Sequence, residues 1–191
     1  MSSPLPLYSY TAYHSARDRL QVVESDPPRE RRIVPKPVLL SLHGLPRSGK
    51  STLTGKLRRY YGASVVNADA VRLALHGQRY LALAEPMVFA IRQIMVRALF
   101  GAGHQIVIYD DTNYSRAARD KMRSDEWDTY YIEVDTPPEI CKERAVATGQ
   151  PDLIPVIDAM WARREPLEAD EPRWQLPAEF ACLGAWTHDF R

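Results

Sequence analysis

The sequence predicts an α/β fold: a three-layer sandwich with a mainly parallel central sheet covered on both faces by helices. Three observations lead there. Short apolar or β-branched runs alternate with helical patterns from Val38 to Arg164. The first run empties into a GxxxxGK[S/T] loop, with helix-forming sequence directly behind it. Gly44, Asp69, Asp110, Asp111 and Asp135 all fall at the ends of predicted strands, where open parallel sheets carry their ligands.

Length and composition agree with that class. A chain of 191 residues, 45% hydrophobic and 26% charged, is most simply one globular domain with a sizeable core. A formal net charge of +1 gives no overall basic field, so a nucleic-acid site would have to be a local patch. Cys141 and Cys182 match no metal-ligand spacing and read as reduced thiols of a cytoplasmic protein. The first twenty residues hold no apolar core of signal-peptide length. The longest apolar stretch, residues 81–102, is interrupted by Glu85, Pro86, Arg92 and Arg97, so no membrane span is expected.

Residues 1–36 read as an N-terminal extension and 37–191 as the domain. Tyr8, Tyr10 and Tyr13 with Arg17 and Arg19 suit a short helix or a packed arm, and residues 26–32 (DPPRERR) suit a polar linker. The domain opens on VLLSL (residues 38–42), a buried strand bounded in front by Pro35 and Pro37. Gly44, Pro46, Arg47, Ser48, Gly49, Lys50, Ser51 and Thr52 then form the candidate nucleotide cradle. Glycines let such a loop curl until its N–H groups face phosphate oxygens. The following helix adds the partial positive charge of its N-terminus. In this pattern Lys50 reaches the β- and γ-phosphates of ATP, and the Ser51 hydroxyl is a ligand for Mg²⁺.

A second strand is expected over residues 63–67, ending at Asp69, with a helix from Ala70 to His76 closed by Gly77. Residues 85–102 carry the longest amphipathic pattern. Val88, Ile91, Met95, Ala98 and Ala102 share one face, with Arg92 and Gln93 off it. QIVIY (105–109) is a third strand running into Asp110, Asp111, Thr112 and Asn113, and Ser115 is a plausible N-cap for a helix to Arg123. A fourth strand is expected over 127–134. Helices follow from Pro137 or Pro138 to Thr148, and from Ile154 or Pro155 to Arg164. The proline-rich end closes with residues 180–190, a possible edge strand.

The strand-end residues suggest phosphotransfer chemistry. Asp69 and Arg72 lie three apart on one helical turn, so a carboxylate able to take a hydroxyl proton sits beside a cation able to hold an anionic acceptor. Asp110 or Asp111 can hold Mg²⁺ while the other faces the acceptor. Thr112 and Asn113 would add a hydroxyl and an amide at the same rim, whereas Asp135 reads as a turn or cap. Lys142, Arg144, Arg163 and Arg164 are candidate cations of a short helical lid, about 144–164, closing over ATP.

GLPRSGKST, NADAVR (67–72), YDDTN (109–113), CKER (141–144) and IPVIDAMWARREPLEADEP from Ile154 occur in an order that resembles P-loop kinases related to the kinase domain of phage-type polynucleotide kinase. Zeta-toxin and chloramphenicol phosphotransferase families are more distant relatives. The resemblance spans roughly residues 38–172. It implies Asp69 as general base, Arg72 as the grip on the acceptor's phosphate, Asp111 as support on the acceptor side and Arg144 as the first lid arginine. Where the family often has a second lid arginine, this chain has Thr148, which leaves Arg144, Arg163 or Arg164 to meet transition-state charge. The implied activity is ATP- and Mg²⁺-dependent transfer to a hydroxyl of a nucleic acid, with DNA favoured. The acceptor would be a 5′-hydroxyl end or a hydroxymethylated pyrimidine base, the latter as small phage kinases of similar build use. A small-molecule acceptor (nucleoside, sugar or antibiotic) is the alternative, and a non-transferase ATPase switch a third reading.

Overall fold

A computed structural model describes residues 36–181. Both the tyrosine-bearing extension and the proposed final strand from residue 182 onward, with Cys182, lie outside the described residues. The element order is β1 (Val38–His43), α1 (Lys50–Tyr61), β2 (Ser64–Asn67), α2 (Ala68–His76), α3 (Glu85–Gly101), β3 (Ile106–Asp110), α4 (Arg116–Asp120), β4 (Asp128–Glu133), α5 (Pro138–Ala147), α6 (Ile154–Ala162) and α7 (Ala178–Ala181). Short 3₁₀ turns precede α3 and α6.

All pairings in the four-stranded sheet are parallel, in the order β2-β3-β1-β4. Alternation along β1 shows how it is filled. Leu40 and Leu42 point to one face and pack with Leu53 and Leu57 of α1. Leu39 points to the other and packs with Val66, Val96, Val107 and Tyr109. Each of these β1 leucines is fully buried, a contribution of about 2 kcal/mol apiece relative to exposure. A third cluster, Leu45, Cys141, Ala145 and Ile157, ties α5 and α6 to the loop after β1.

Three sequence expectations change here. The edge beside β4 is extended by an isolated bridge from Tyr131 to Arg173, while Phe180 belongs to helix α7. Proline-rich backbone reaches that edge because Tyr131 N–H donates to the Pro172 carbonyl and the Tyr131 carbonyl accepts from Trp174. On α3 the buried stripe is Val88, Arg92 and Val96, not the Ile91–Met95–Ala98 face; Met95 is 37% exposed. Arg92 is drawn inward by its ion pair with Asp111. Helix α2 begins at Ala68 rather than Ala70: Asn67 is its cap, with a side chain that accepts from Ala70 N–H, and Asp69 sits in the first turn.

A buried ion pair fixes the segment behind the sheet. Arg119 and Glu171 meet at 2.6 Å with neither side chain exposed. Arg119 also donates to the carbonyls of Asn113, Glu165 and Pro166. Burial opposes the charge on Glu171, but hydrogen bonds from Arg119 and the Glu168 N–H overcome it and hold the carboxyl below its ordinary range.

Candidate functional site

The loop from Gly44 to Gly49 closes against its surroundings through backbone bonds. Gly44 N–H donates to the Thr112 carbonyl at 3.0 Å, and Leu53 N–H to Gly49 at 3.0 Å. A Cβ at Gly44 would meet the Val134 carbonyl oxygen at 2.7 Å, so only glycine fits. Gly49 adopts φ 102° where the loop turns into α1. Arg47 takes φ 64° and donates to Gln150 across the cleft. The first turn of α1 holds no acidic residue, leaving its N-terminal positive charge available to a bound anion. The loop is braced from behind: Thr136 Oγ1 donates to the Ser48 carbonyl at 2.8 Å, and Arg144 Nη1 to the same carbonyl at 3.2 Å.

Lys50 is buried and turned back onto the loop, with Nζ 2.9 Å from the Gly44 carbonyl and 2.6 Å from that of Leu45. Burial pushes its pKa down, opposed by the charges of Asp110 and Asp111. Asp110 sits at the end of β3 opposite Asn67 in the sheet register, and Asn67 Nδ2 donates to it at 3.0 Å. Burial raises its pKa, while Lys50 and hydrogen bonds from Ser51 and Asn67 favour the ionised form. Lys50, Ser51 and Asp110, separated by up to sixty positions in the chain, are thus one cluster. Among the described residues no group of three or more His, Cys, Asp or Glu is arranged to hold a metal ion.

The facing wall comes from α2, α3 and the loop after β3. Asp69 is 67% exposed, and its Oδ1 accepts from Arg72 Nη1 at 2.8 Å. Arg72 is also held by Glu85, the first residue of α3, through Nε at 2.7 Å and Nη2 at 2.8 Å. The hydrogen bonds to Glu85 raise the Arg72 pKa. Asp111 caps its own loop at Thr112 N–H and pairs with Arg92. That pair explains why two adjacent carboxylates end one strand: Asp110 has Lys50 beside it, and Asp111 has Arg92. Neither α3 partner, Glu85 or Arg92, was read from the sequence; for Arg92 the signal was an arginine between Ile91 and Ile94 in a largely apolar helical stretch.

Together these groups line a single cleft of about 1410 Å³, with Lys50, Ser51 and Asp110 clustered at the loop beside Arg47, and Asp69, Arg72 and Asp111 on the facing wall. Arg79, Tyr80 and Arg163 also line it; Tyr80 is 66% exposed, and the Arg163 guanidinium lies over the Tyr114 ring at 5.8 Å. Gly44 and Ser48 shape the loop from below, and Pro46, Gly49 and Thr52 line the cleft.

Four expectations are corrected. Asn113 lends no amide to the rim: its Nδ2 is buried and donates to Ser41 Oγ and the Leu42 carbonyl. Its φ of 47° turns the side chain into the sheet. Lys142 is bound to Asp158 at 2.9 Å outside the cleft lining. Arg164 is held by Glu133 at 2.7 Å and Asp135 at 3.0 Å, away from the cleft lining. Asp135 therefore serves as that arginine's partner rather than as a cap. Thr148, at the position where the resembled family often has a second arginine, donates to the Arg144 carbonyl at 2.7 Å.

A family model described as an AAA domain matches residues 39–167. No curated protein matches the chain. Among solved structures, a chain of the Pnkp1/Rnl/Hen1 complex is similar at 29% identity and TM-score 0.53, covering 60% of this chain and 42% of that one. A sugar kinase from Janibacter sp. HTCC2649 is similar at 22% identity and TM-score 0.55, with 74% and 85% covered. A gluconokinase from Sinorhizobium meliloti 1021 is similar at 18% identity and TM-score 0.56, with 79% and 91% covered. The chain spans about half the length of the Pnkp1/Rnl/Hen1 chains it matches. The fold is that of P-loop kinases, and the chain belongs to the AAA domain family.

Proposed function

Starting from that family, we propose that the protein is a P-loop kinase that transfers the γ-phosphoryl group of ATP to an alcohol, with a nucleic-acid hydroxyl as acceptor. The observation that carries this reading is the cleft itself, with a phosphate cradle facing an Asp–Arg pair across the strand ends. Loop N–H groups and Lys50 would hold the triphosphate. Ser51 and Asp110 fit Mg²⁺, which keeps several waters and needs only one or two protein oxygens beside phosphate. When bound, the ion would neutralise charge between the β- and γ-phosphates. Asp69 would accept the hydroxyl proton, and Arg72 would hold the acceptor's neighbouring phosphate. Arg144, braced on the loop carbonyls, and Arg163, lining the cleft, would be the lid cations that meet charge on the transferring group.

Support for a polymer acceptor is the exposed Tyr80 of the cleft lining with Arg79 next to it in the chain: a ring to stack a base and a cation for its backbone. The 29% identity to a chain from a complex whose second structure is described as an RNA repair complex points the same way. One observation favours a small-molecule acceptor instead: the Arg72 fork is already filled by Glu85. Labelled ATP with a panel of 5′-hydroxyl oligonucleotides, hydroxymethylated DNA, nucleosides and sugars tests both. Label in a polynucleotide is expected; label only in small products would move the assignment to the second reading, and none anywhere would remove both.

A further inference from the structure

Arg72 has its anion-binding edge occupied. A guanidinium takes an oxyanion best through two parallel N–H groups, and here Nε and Nη2 give that fork to the Glu85 carboxylate at 2.7 and 2.8 Å. The remaining nitrogen, Nη1, is bound to Asp69. In this state the cation is shared by two carboxylates, so an approaching phosphate meets a local net negative charge.

Glu85 also has somewhere else to go. It lines a side recess of about 510 Å³ that opens beyond the acceptor wall, with Phe89, Arg92, Asp111 and Lys121 around it. Arg92 is 4% exposed, and its Nε has no hydrogen-bond partner. Lys121 lies over the Phe89 ring at 5.4 Å on the same side. A carboxylate swung from Arg72 into the recess would stay in the first turn of α3, where the helix N-terminus favours negative charge, and would meet Lys121 and the unpartnered Nε of Arg92, whose Nη1 is held by Asp111.

We infer that Glu85 is a displaceable stand-in for the acceptor's phosphate: it fills the Arg72 fork when no acceptor is present and yields it when a phosphate-bearing acceptor docks. It is thereby the residue that sets how strongly an anion must bind to be accepted. The inference deepens the proposed function and rests on it for the identity of the acceptor, but the competition at Arg72 is testable without any acceptor.

The probe is inorganic phosphate, titrated into the full chain with its loop saturated by a non-hydrolysable ATP analogue and Mg²⁺. The readout is the Arg72 Nε–H resonance, assigned by its loss in Arg72→Lys. Removing a competitor that holds the fork nine-tenths of the time would tighten the apparent phosphate affinity about tenfold. Glu85→Gln is therefore expected to shift that resonance at roughly tenfold lower phosphate, with Glu85→Ala behaving alike. Unchanged or weaker phosphate binding in both variants would show that Glu85 only positions Arg72, and would overturn the inference. Label transfer to a 5′-hydroxyl oligonucleotide, measured in parallel, decides the acceptor class separately. A competition seen by resonance without transfer would keep the displaceable carboxylate and reject the nucleic-acid reading.

Discussion

The two sides of the cleft are built by different physics. The cradle draws its shape from one continuous run, residues 44–52, fixed by backbone hydrogen bonds, a glycine with no room for a Cβ and a helix start. The facing wall is gathered from α2, α3 and the loop after β3, and side-chain ion pairs join it: Asp69–Arg72–Glu85 and Arg92–Asp111. A backbone cradle barely changes with salt or with a single side chain. An ion-paired wall can be rewired by one substitution.

Breaking each side in turn exposes that contrast. Lys50→Ala removes the buried cation of the cradle and is expected to slow phosphoryl transfer by about 10³-fold, the range for losing one transition-state contact. Transfer within tenfold of wild type, read with labelled ATP, would displace Lys50 from the donor side. Arg92→Met should act on the wall alone. It leaves Asp111, with its side chain 18% exposed, unpaired beside Asp110, a loss of about 2 kcal/mol in urea unfolding, discounted from the range for fully buried pairs. Its ATP affinity, measured by calorimetry, should stay within twofold. A fall in ATP affinity matching the stability loss would mean that the two sides are not separable.

Legibility in the sequence follows the same division. All four strands and the cradle could be read because they depend on neighbours: apolar runs, a glycine pattern, a helix behind it. The i, i+3 spacing of Asp69 and Arg72 was equally local. Arg92 was misplaced because hydropathy alone puts an arginine outward, and only Asp111, brought over from β3, turns it in. Glu85 reads as an ordinary helix-start acid until α2 lays Arg72 against it. Asn113 looked like rim chemistry because its neighbours are, but its positive φ sends the amide under β1. Arg164 was drawn off by Glu133 and Asp135, which sequence distance concealed.

A smaller effect probes the frame behind the wall. The Glu171 carboxyl lies below its ordinary range in the folded chain. Its pair with Arg119 thus stabilises above the unfolded carboxylate value of about 4 and is lost as pH falls through the lower folded value. Wild type should lose urea resistance below about pH 4 more steeply than Glu171→Gln does, even though that variant is less stable at neutral pH. Parallel acid profiles would remove Glu171 from the account.

Under the proposed function, one cleft holds a donor side and a separable acceptor side, with Asp69 as the proton acceptor. Asp69→Asn tests it most directly, with ATP affinity by calorimetry and label transfer to the acceptor found in the panel measured on the same preparation. The expected result is ATP affinity within twofold of wild type and transfer lowered by about 10²- to 10⁴-fold, the range for a general base. Transfer that survives the substitution at wild-type rate would contradict it.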